Sequence, residues 1–414
     1  MGVLKITNKK FIITIVLVIG SSFLLGIILS LVILNSLSKV SSNEIASNNI
    51  KIISESTFEN TNPITTSTST SSPHPSSNEI NDGFFKMVIQ PQFDDIESFS
   101  EGLACVKVGE DESGRWGYIN KTGEYVIEPK YYYAKSFSEG LAAVQETKDG
   151  KDGYIDLHGN YIIEPQFDYG YSFNEGYAII FNRGEEGLLY SYIDKKGKYL
   201  ISPIKDLLFD FHEGYGLNEF RLINQNKNMY TFIRKDGTGT PPYFAQEMYP
   251  FSDGMALFRL DDKYGYLNNK GNVQILNDYY RATDFENGIA LVYDKNFFNN
   301  EINYKIINKY GAVLEEGAID NVWLVYGFYD GFARFRTLDD KSIFIDKKNN
   351  IVLDTDYVVS DFENGYAIAT VDRKKGLLDK AGKFVVEAIY DDIKNINEGM
   401  VGVKINNKWG FLRK

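Results

Sequence analysis

The chain has 414 residues, a formal net charge of −12, a single cysteine, and an aromatic excess of 29 Tyr and 28 Phe. One cysteine excludes an intramolecular disulfide and a cysteine-built zinc site. The acidic balance argues against nucleic acid as a partner, because an acidic array repels phosphate. The length allows two or three domains or one large repeat array.

Residues 1–10 carry Lys5, Lys9 and Lys10. Phe11 to Leu34 follow without a single charge, 24 residues in all. About 20 apolar residues span a bilayer core, whereas a cleaved signal has a shorter core of roughly 7–15 residues. The pattern predicts one transmembrane helix over 11–34 acting as an uncleaved anchor. The basic flank places residues 1–10 in the cytoplasm and the rest outside. Residues 35–83 are rich in Ser, Thr, Asn and Pro and poor in large apolar groups. Such a segment buries too little surface to offset its ordering entropy, so a disordered tether is expected.

From residue 84 to 414 the chain repeats. An acidic or amide residue followed by glycine recurs at Gly102, Gly140, Gly176, Gly214, Gly254, Gly288, Gly331, Gly365 and Gly399, spaced 34–43 residues apart. Glycine reaches positive φ without steric cost, so a fixed glycine predicts a fixed turn. A strand apolar on both faces follows, as in LACV, LAAV and YAII. Its second position is small in eight copies, from Ala104 to Ala367, with Val401 the exception. Close packing by a neighbouring repeat is expected there.

The next strand reads WGYIN at 116–120 and WGFLR at 409–413. Glycine inside a strand marks a bulge or a close backbone approach. Trp116 and Trp409 are expected as half-buried packing residues over that gap, with ligand stacking as the second reading. A turn follows (NKTG, DKKG, DKAG), ending in glycine in seven of eight copies and in Asn349 in the other. Asparagine replaces glycine best at positive φ. A third strand (EYVIEP) is expected to stop at its proline, and a weaker fourth (QFDDI, KYYYA) to lead into the next turn.

RWGYINKTGEYVIEP, KWGFLRK and the FSEGLA turn together resemble the bacterial WG-repeat, or KWG-repeat, family. The resemblance covers 84–414, with the Trp-Gly pair lost in the copies between 205 and 360. It implies a β-repeat architecture in a binding or accessory region and carries over no catalytic residue.

The fold class expected is thus an all-β repeat array of nine meander units of about 36 residues. The array begins on the third kind of strand and stops after the Trp-Gly strand, a phase in which the first strand could complete the last unit. A closed propeller-like toroid and an open β-solenoid both remain open on this reading. Antiparallel order places the glycine turns and the lysine turns on one rim, where Glu101, Glu139, Glu175 and Glu213 meet Lys121, Lys195 and Lys235 and neutralise it. The opposite rim holds loops of five to eleven residues. Insertions in repeat proteins map to one face, often the binding face. Recognition is therefore expected at 107–115, 219–229 and 293–303.

No catalytic, cofactor or metal motif emerges. His74, His158 and His212 fall in unrelated segments, and DDKYG at 261–265 lacks the alternating oxygens of a calcium loop. Cys105 occupies a position held by Ala or Ile in other copies and reads as apolar filler. The sequence leads to a membrane-anchored extracytoplasmic binding module. It would be non-catalytic and cofactor-free, and would recognise a cell-wall glycan or an envelope protein. An envelope-polymer hydrolase with paired carboxylates and a pure assembly scaffold are the alternatives.

Overall fold

A computed structural model describes residues 2–8, 11–17, 81–82, 85–222, 225, 227–296 and 301–414. The chain divides into two compact units, 1–73 and 74–414. In the first, Gly2–Asn8 and Phe11–Leu17 pair as antiparallel strands. The described start of the expected membrane helix is therefore a strand, in keeping with the β-branched run Ile12, Ile13, Thr14, Ile15 and Val16. The rest of that span, 18–34, and the tether over 35–80 lie outside the described residues. Among the described residues, no helix is long and apolar enough to cross a membrane.

The described residues of the second unit form a nine-bladed β-propeller of antiparallel sheets. Blade 1 runs from an inner strand, Asp95–Ile96, through Ala104–Val108 and Arg115–Ile119 to an outer strand, Tyr125–Tyr131. Blades 2 to 8 repeat this order. Blade 3 has three strands, and the bridges Tyr190↔Ile204 and Ile193↔Tyr199 hold its outer place. In blade 9 the fourth strand comes from the start of the array: Phe85–Phe93 pairs with Lys408–Arg413, matching Trp409 with Phe93 and Phe411 with Ile89. The ring is closed, and closure removes the free ends that an open solenoid would expose.

The core lies between blades. Ile89, Phe93 and Phe411 of blade 9 share one buried cluster with Ile96, Phe99 and Val106 of blade 1. The small residues of the second strand, Ala104, Ala142 and Ala178 among them, are fully covered. A repeated tyrosine ties blades 1, 2, 3 and 5 each to the next. Tyr118 donates its hydroxyl to Lys135 O at 2.8 Å, Tyr154 to Tyr171 O at 2.8 Å, Tyr192 to Phe209 O at 2.5 Å and Tyr266 to Thr283 O at 2.7 Å. Burying a ring while its hydroxyl finds a carbonyl is the usual compromise for tyrosine.

The Trp-Gly strand explains itself in the register. Trp116 pairs with Tyr131 and Tyr118 with Ile127, so Gly117 alone faces Glu128, Pro129 and Lys130. A Cβ on Gly117 would lie 2.6 Å from Ile127 O and 2.7 Å from Pro129 N. Gly153 and Gly410 meet Pro165 and Pro91 in the same way. The proline therefore does not end the strand, as its missing donor had suggested. It sits in a bulge, where no ladder hydrogen bond is required, and the strand continues to Tyr131. The expected fourth strand is in fact two pieces, the end of one outer strand and the short inner strand of the next blade. In blades 6 and 7 the glycine and the bulge are both lost: in blade 6 Tyr304, Lys305 and Ile306 pair without interruption with Gly317, Glu316 and Glu315, whereas blade 3 keeps extra residues opposite Ser191. Trp116 and Trp409 are 9% and 4% exposed, deeper than half-buried, because the bulged strand folds over them.

Candidate functional site

One rim of the ring is saturated by its own charges. Each glycine turn is a two-residue hairpin with both residues at positive φ, such as Glu101 at 54° and Gly102 at 84°. A glutamate is a poor choice for that backbone, and its side chain shows why it is there. Glu101 accepts the Gly140 N–H of the next blade at 2.9 Å, Glu139 accepts Gly176 N–H at 2.9 Å, and Glu175 accepts Gly214 N–H at 2.8 Å. Glu398 closes the circle on Gly102 at 3.1 Å. Charge-assisted bonds of this kind are stronger than neutral ones. In blade 8 Asn364 takes the acid's place and bonds Ile396 O instead.

Lysines complete the rim from one blade further on. Lys195 meets Glu139 at 3.2 Å, Lys235 meets Glu175 at 3.1 Å, Lys380 meets Asp330 at 2.7 Å, and Lys121 meets Glu398 at 3.0 Å. The neutral rim read from the sequence is present in part, with pairs that run between blades; Glu101 and Glu213 are held by the N–H groups of Gly140 and Gly254 and form no ion pair with a lysine among the described residues. Asn349 has φ of 63°, the left-handed turn conformation that its exchange for glycine implied.

The opposite rim is irregular. The loop after Val108 turns through Asp111–Ser113, with Arg115 donating to the carbonyls of Glu112, Ser113 and Gly114. Blade 4 presents Phe220 and Arg221, the latter paired with Glu219 at 3.1 Å, and Lys227 reaches Asp261 of blade 5 at 3.0 Å. In blade 6 the expected loop is largely strand, because Ile289–Asn296 and Glu301–Asn308 extend as a hairpin pairing Asp294 with Asn303 and Lys295 with Ile302. Blade 3 extends likewise, pairing Arg183 with Leu188, a projection the loop lengths did not single out. Val108, Leu188, Phe220, Trp323 and Leu338 are exposed along this rim.

Inside the ring, the inner strands of blades 5 to 8 bound a cavity of about 660 Å³. It runs along blade 6 from Arg281 to Glu286. Tyr249, Tyr326 and Tyr329 line it together with Asp284. Solvent reaches Asp284 down the channel, yet protein surrounds it on most sides; this burial raises its carboxyl above the ordinary range, opposed by His212 of blade 4. Glu286 is raised as well, first by burial and also by Asp330, against the Gly331 N–H. Its Oε2 is buried with no hydrogen-bond partner. In blade 7 Arg334 grips Asp361 through Nε at 2.7 Å and lies 3.6 Å over the Tyr326 ring. Cys105 is buried, and burial pushes its thiol far up, so it is filler as expected. Among the described residues, no three His, Cys, Asp or Glu side chains converge as a metal site.

The family model for the WG containing repeat matches at 80–110, 116–151, 153–185, 190–219, 246–264, 264–296 and 376–409. This chain belongs to the WG-repeat family. No curated protein matches it. In fold, this WG-repeat ring is similar to a eukaryotic initiation factor, with a TM-score of 0.52 at 8% identity over 78% of this chain and 91% of that one. The computationally designed Ika8 protein gives 0.43 at 11% identity over 67% and 95%, and Saccharomyces cerevisiae Sqt1 gives 0.37 at 12% over 80% and 97%.

The axial residues went unread in the sequence, though a signal existed. The position before the inner-strand phenylalanine is Ser98, Ser136 and Ser172 in the first three WG repeats. It becomes Asp210, Asp284 and Asp361 in blades 4, 6 and 8. Aligning the repeats on that phenylalanine displays the change.

Proposed function

We propose that this WG-repeat protein is a non-catalytic binding module anchored by its 11–34 span and displayed outside the cytoplasm. Its propeller is the architecture of an interaction module, and the loop rim is its recognition face. The observation that carries this reading is the contrast between the rims. The glycine-turn rim spends its acids and lysines on neighbouring blades, from Glu398–Lys121 around to Asp330–Lys380. The loop rim offers projecting hairpins and exposed Phe220, Trp323 and Leu338. Large apolar and aromatic side chains amid polar loops are the usual anchors of an interface.

The partner fitting this placement is a cell-envelope component, a wall glycan or a surface protein. Twenty-four uncharged residues support the anchor, and the lysine-rich flank supports its orientation. Residues 74–414 sedimented with purified cell walls, before and after removal of wall polymers, test the reading. Retention that is lost on stripping, and lost again when 293–303 is replaced by a short turn, supports it. No retention on any wall fraction, and no cross-linked protein at the membrane, would overturn it. Protease access to the repeat domain in intact cells tests the orientation separately.

A further inference from the structure

The axial cavity has a chemistry of its own. Five tyrosines line it, among them Tyr249 and Tyr329, which are 37% and 50% exposed. Two carboxylates face this space with unused capacity. Asp284 makes no side-chain hydrogen bond or ion pair among the described residues, and its charge is felt by the hydroxyls of Tyr249 and Tyr329. Glu286 accepts Gly331 N–H at 3.3 Å and Asn287 Nδ2–H at 3.2 Å through Oε1 and leaves Oε2 buried without a hydrogen-bond partner. The other acids on this wall are already partnered, Asp330 by Lys380 at 2.7 Å and Glu363 by Asn395.

We propose that this cavity binds an organic ammonium group, seated on the tyrosine faces with Asp284 and Glu286 as counter-charges. A cation over aromatic rings is attracted by their quadrupole, and more so where water is excluded. A buried carboxylate oxygen without a donor is costly, and a ligand N–H relieves that cost. A metal ion fits less well, since the described residues hold no cluster of three ligating side chains. An anion would meet two uncompensated carboxylates. Arg281, the basic side chain on the wall, is stacked 4.8 Å over the Tyr280 ring and bonded to Tyr280 O at 3.2 Å. The site is separate from the loop rim, so it stands or falls independently of the wall assay.

Binding by the full chain in detergent would be measured by calorimetry and ligand-observed NMR. The probes are Nα-acetyl-lysine amide, glucosamine, and their neutral counterparts Nα-acetyl-norleucine amide and N-acetylglucosamine. Saturable binding of one or both amines, without binding of the neutral pair, is expected; the amine preferred identifies a peptide or a sugar source. Asp284→Asn should weaken binding about tenfold, the scale of one hydrogen bond to a charged group. Glu286→Gln is the second variant should the first fail to unfold cooperatively, and the remote Glu112→Gln should change nothing. Absence of amine binding, equal binding of the neutral probes, or undiminished affinity in both folded variants would overturn the proposal.

Discussion

Asp152 stands where blade 1 has Trp116, and it tests how the ring tolerates a buried acid. It is 1% exposed and accepts one hydrogen bond, from Gly170 N–H at 2.8 Å. Burial pushes its carboxyl up to about 6, against the pull of Gly170 and Lys135 and with a further push from Asp168. Its folded pKa lies above its unfolded value of 3.8, so folding favours the protonated form. The site is neutral to stability below pH ~4, and stability falls as pH rises from there through about 6. At neutral pH the cost is about 3 kcal/mol at most, from roughly two units at 1.36 kcal/mol each. Asp152→Asn keeps the acceptor for Gly170 and removes the charge. It should raise the urea midpoint at pH 7.5, with a gain only about a third as large at pH 4.5. A variant that is less stable at pH 7.5, or whose gain does not shrink on acidification, would refute the reasoning.

Other substitutions separate the devices that hold the ring. Gly102 has φ of +84° with nothing within 4 Å of a Cβ, so Gly102→Ala should cost about 1 kcal/mol by strain alone. Gly117→Ala drives a methyl to 2.6 Å from Ile127 O and should cost about 3 kcal/mol or more; equal urea midpoints for the two variants would discount the close approach. Trp116→Ala should lose about 3–5 kcal/mol of stability and leave partner retention by the folded fraction unchanged, which sedimentation alongside melting checks. Glu398→Ala removes the clasp on Gly102 and Lys121 across the ring closure; solvent screening limits the loss to about 1 kcal/mol, read as a lowered melting temperature that high salt diminishes.

Much of the fold was legible because the repeat writes its local constraints nine times. The turn glycines, the exchange at Asn349 and the glycine of the Trp-Gly strand each answer to a backbone requirement within a few residues, and the structure meets them where the sequence placed them. What failed was reading proline as a terminator. Pro129 lacks a donor, but the bulge opposite Gly117 asks for none, and a bulge depends on two strands at once. Closure was harder still. Whether nine units meet depends on a small rotation per blade accumulated around the ring, which no single repeat encodes. Pairs such as Lys408–Asp94, 2.5 Å apart, become neighbours only once it closes. The axial cavity stayed hidden for the same reason, since Tyr249 and Tyr329 approach one space from blades 5 and 7.

The division of labour around the ring follows from where the repeat has decayed. Blades 1, 2, 5, 8 and 9 keep the strand glycine and its bulge. In blades 4 and 7 that glycine is Thr231 and Ile343, and the inner strands are long, Leu207–His212 and Val322–Tyr329, as is Glu247–Ser252 of blade 5, which keeps its glycine. In blades 3 and 6 it is Ser191 and Lys305, and the hairpins extend. The loss of glycine therefore coincides with the projecting loops, with exposed Trp323, and with half of the cavity wall. Blades 1 and 2 carry both the Gly-Pro approach and a tyrosine that reaches the next blade, and have little freedom to vary. Blades 6 and 7, released from the bulge, depend on ordinary strand pairing, which admits length changes and new side chains on the axis. The altered blades supply the extended hairpins, Trp323 and Asp284, and the regular blades 1 and 5 add Val108 and Tyr249.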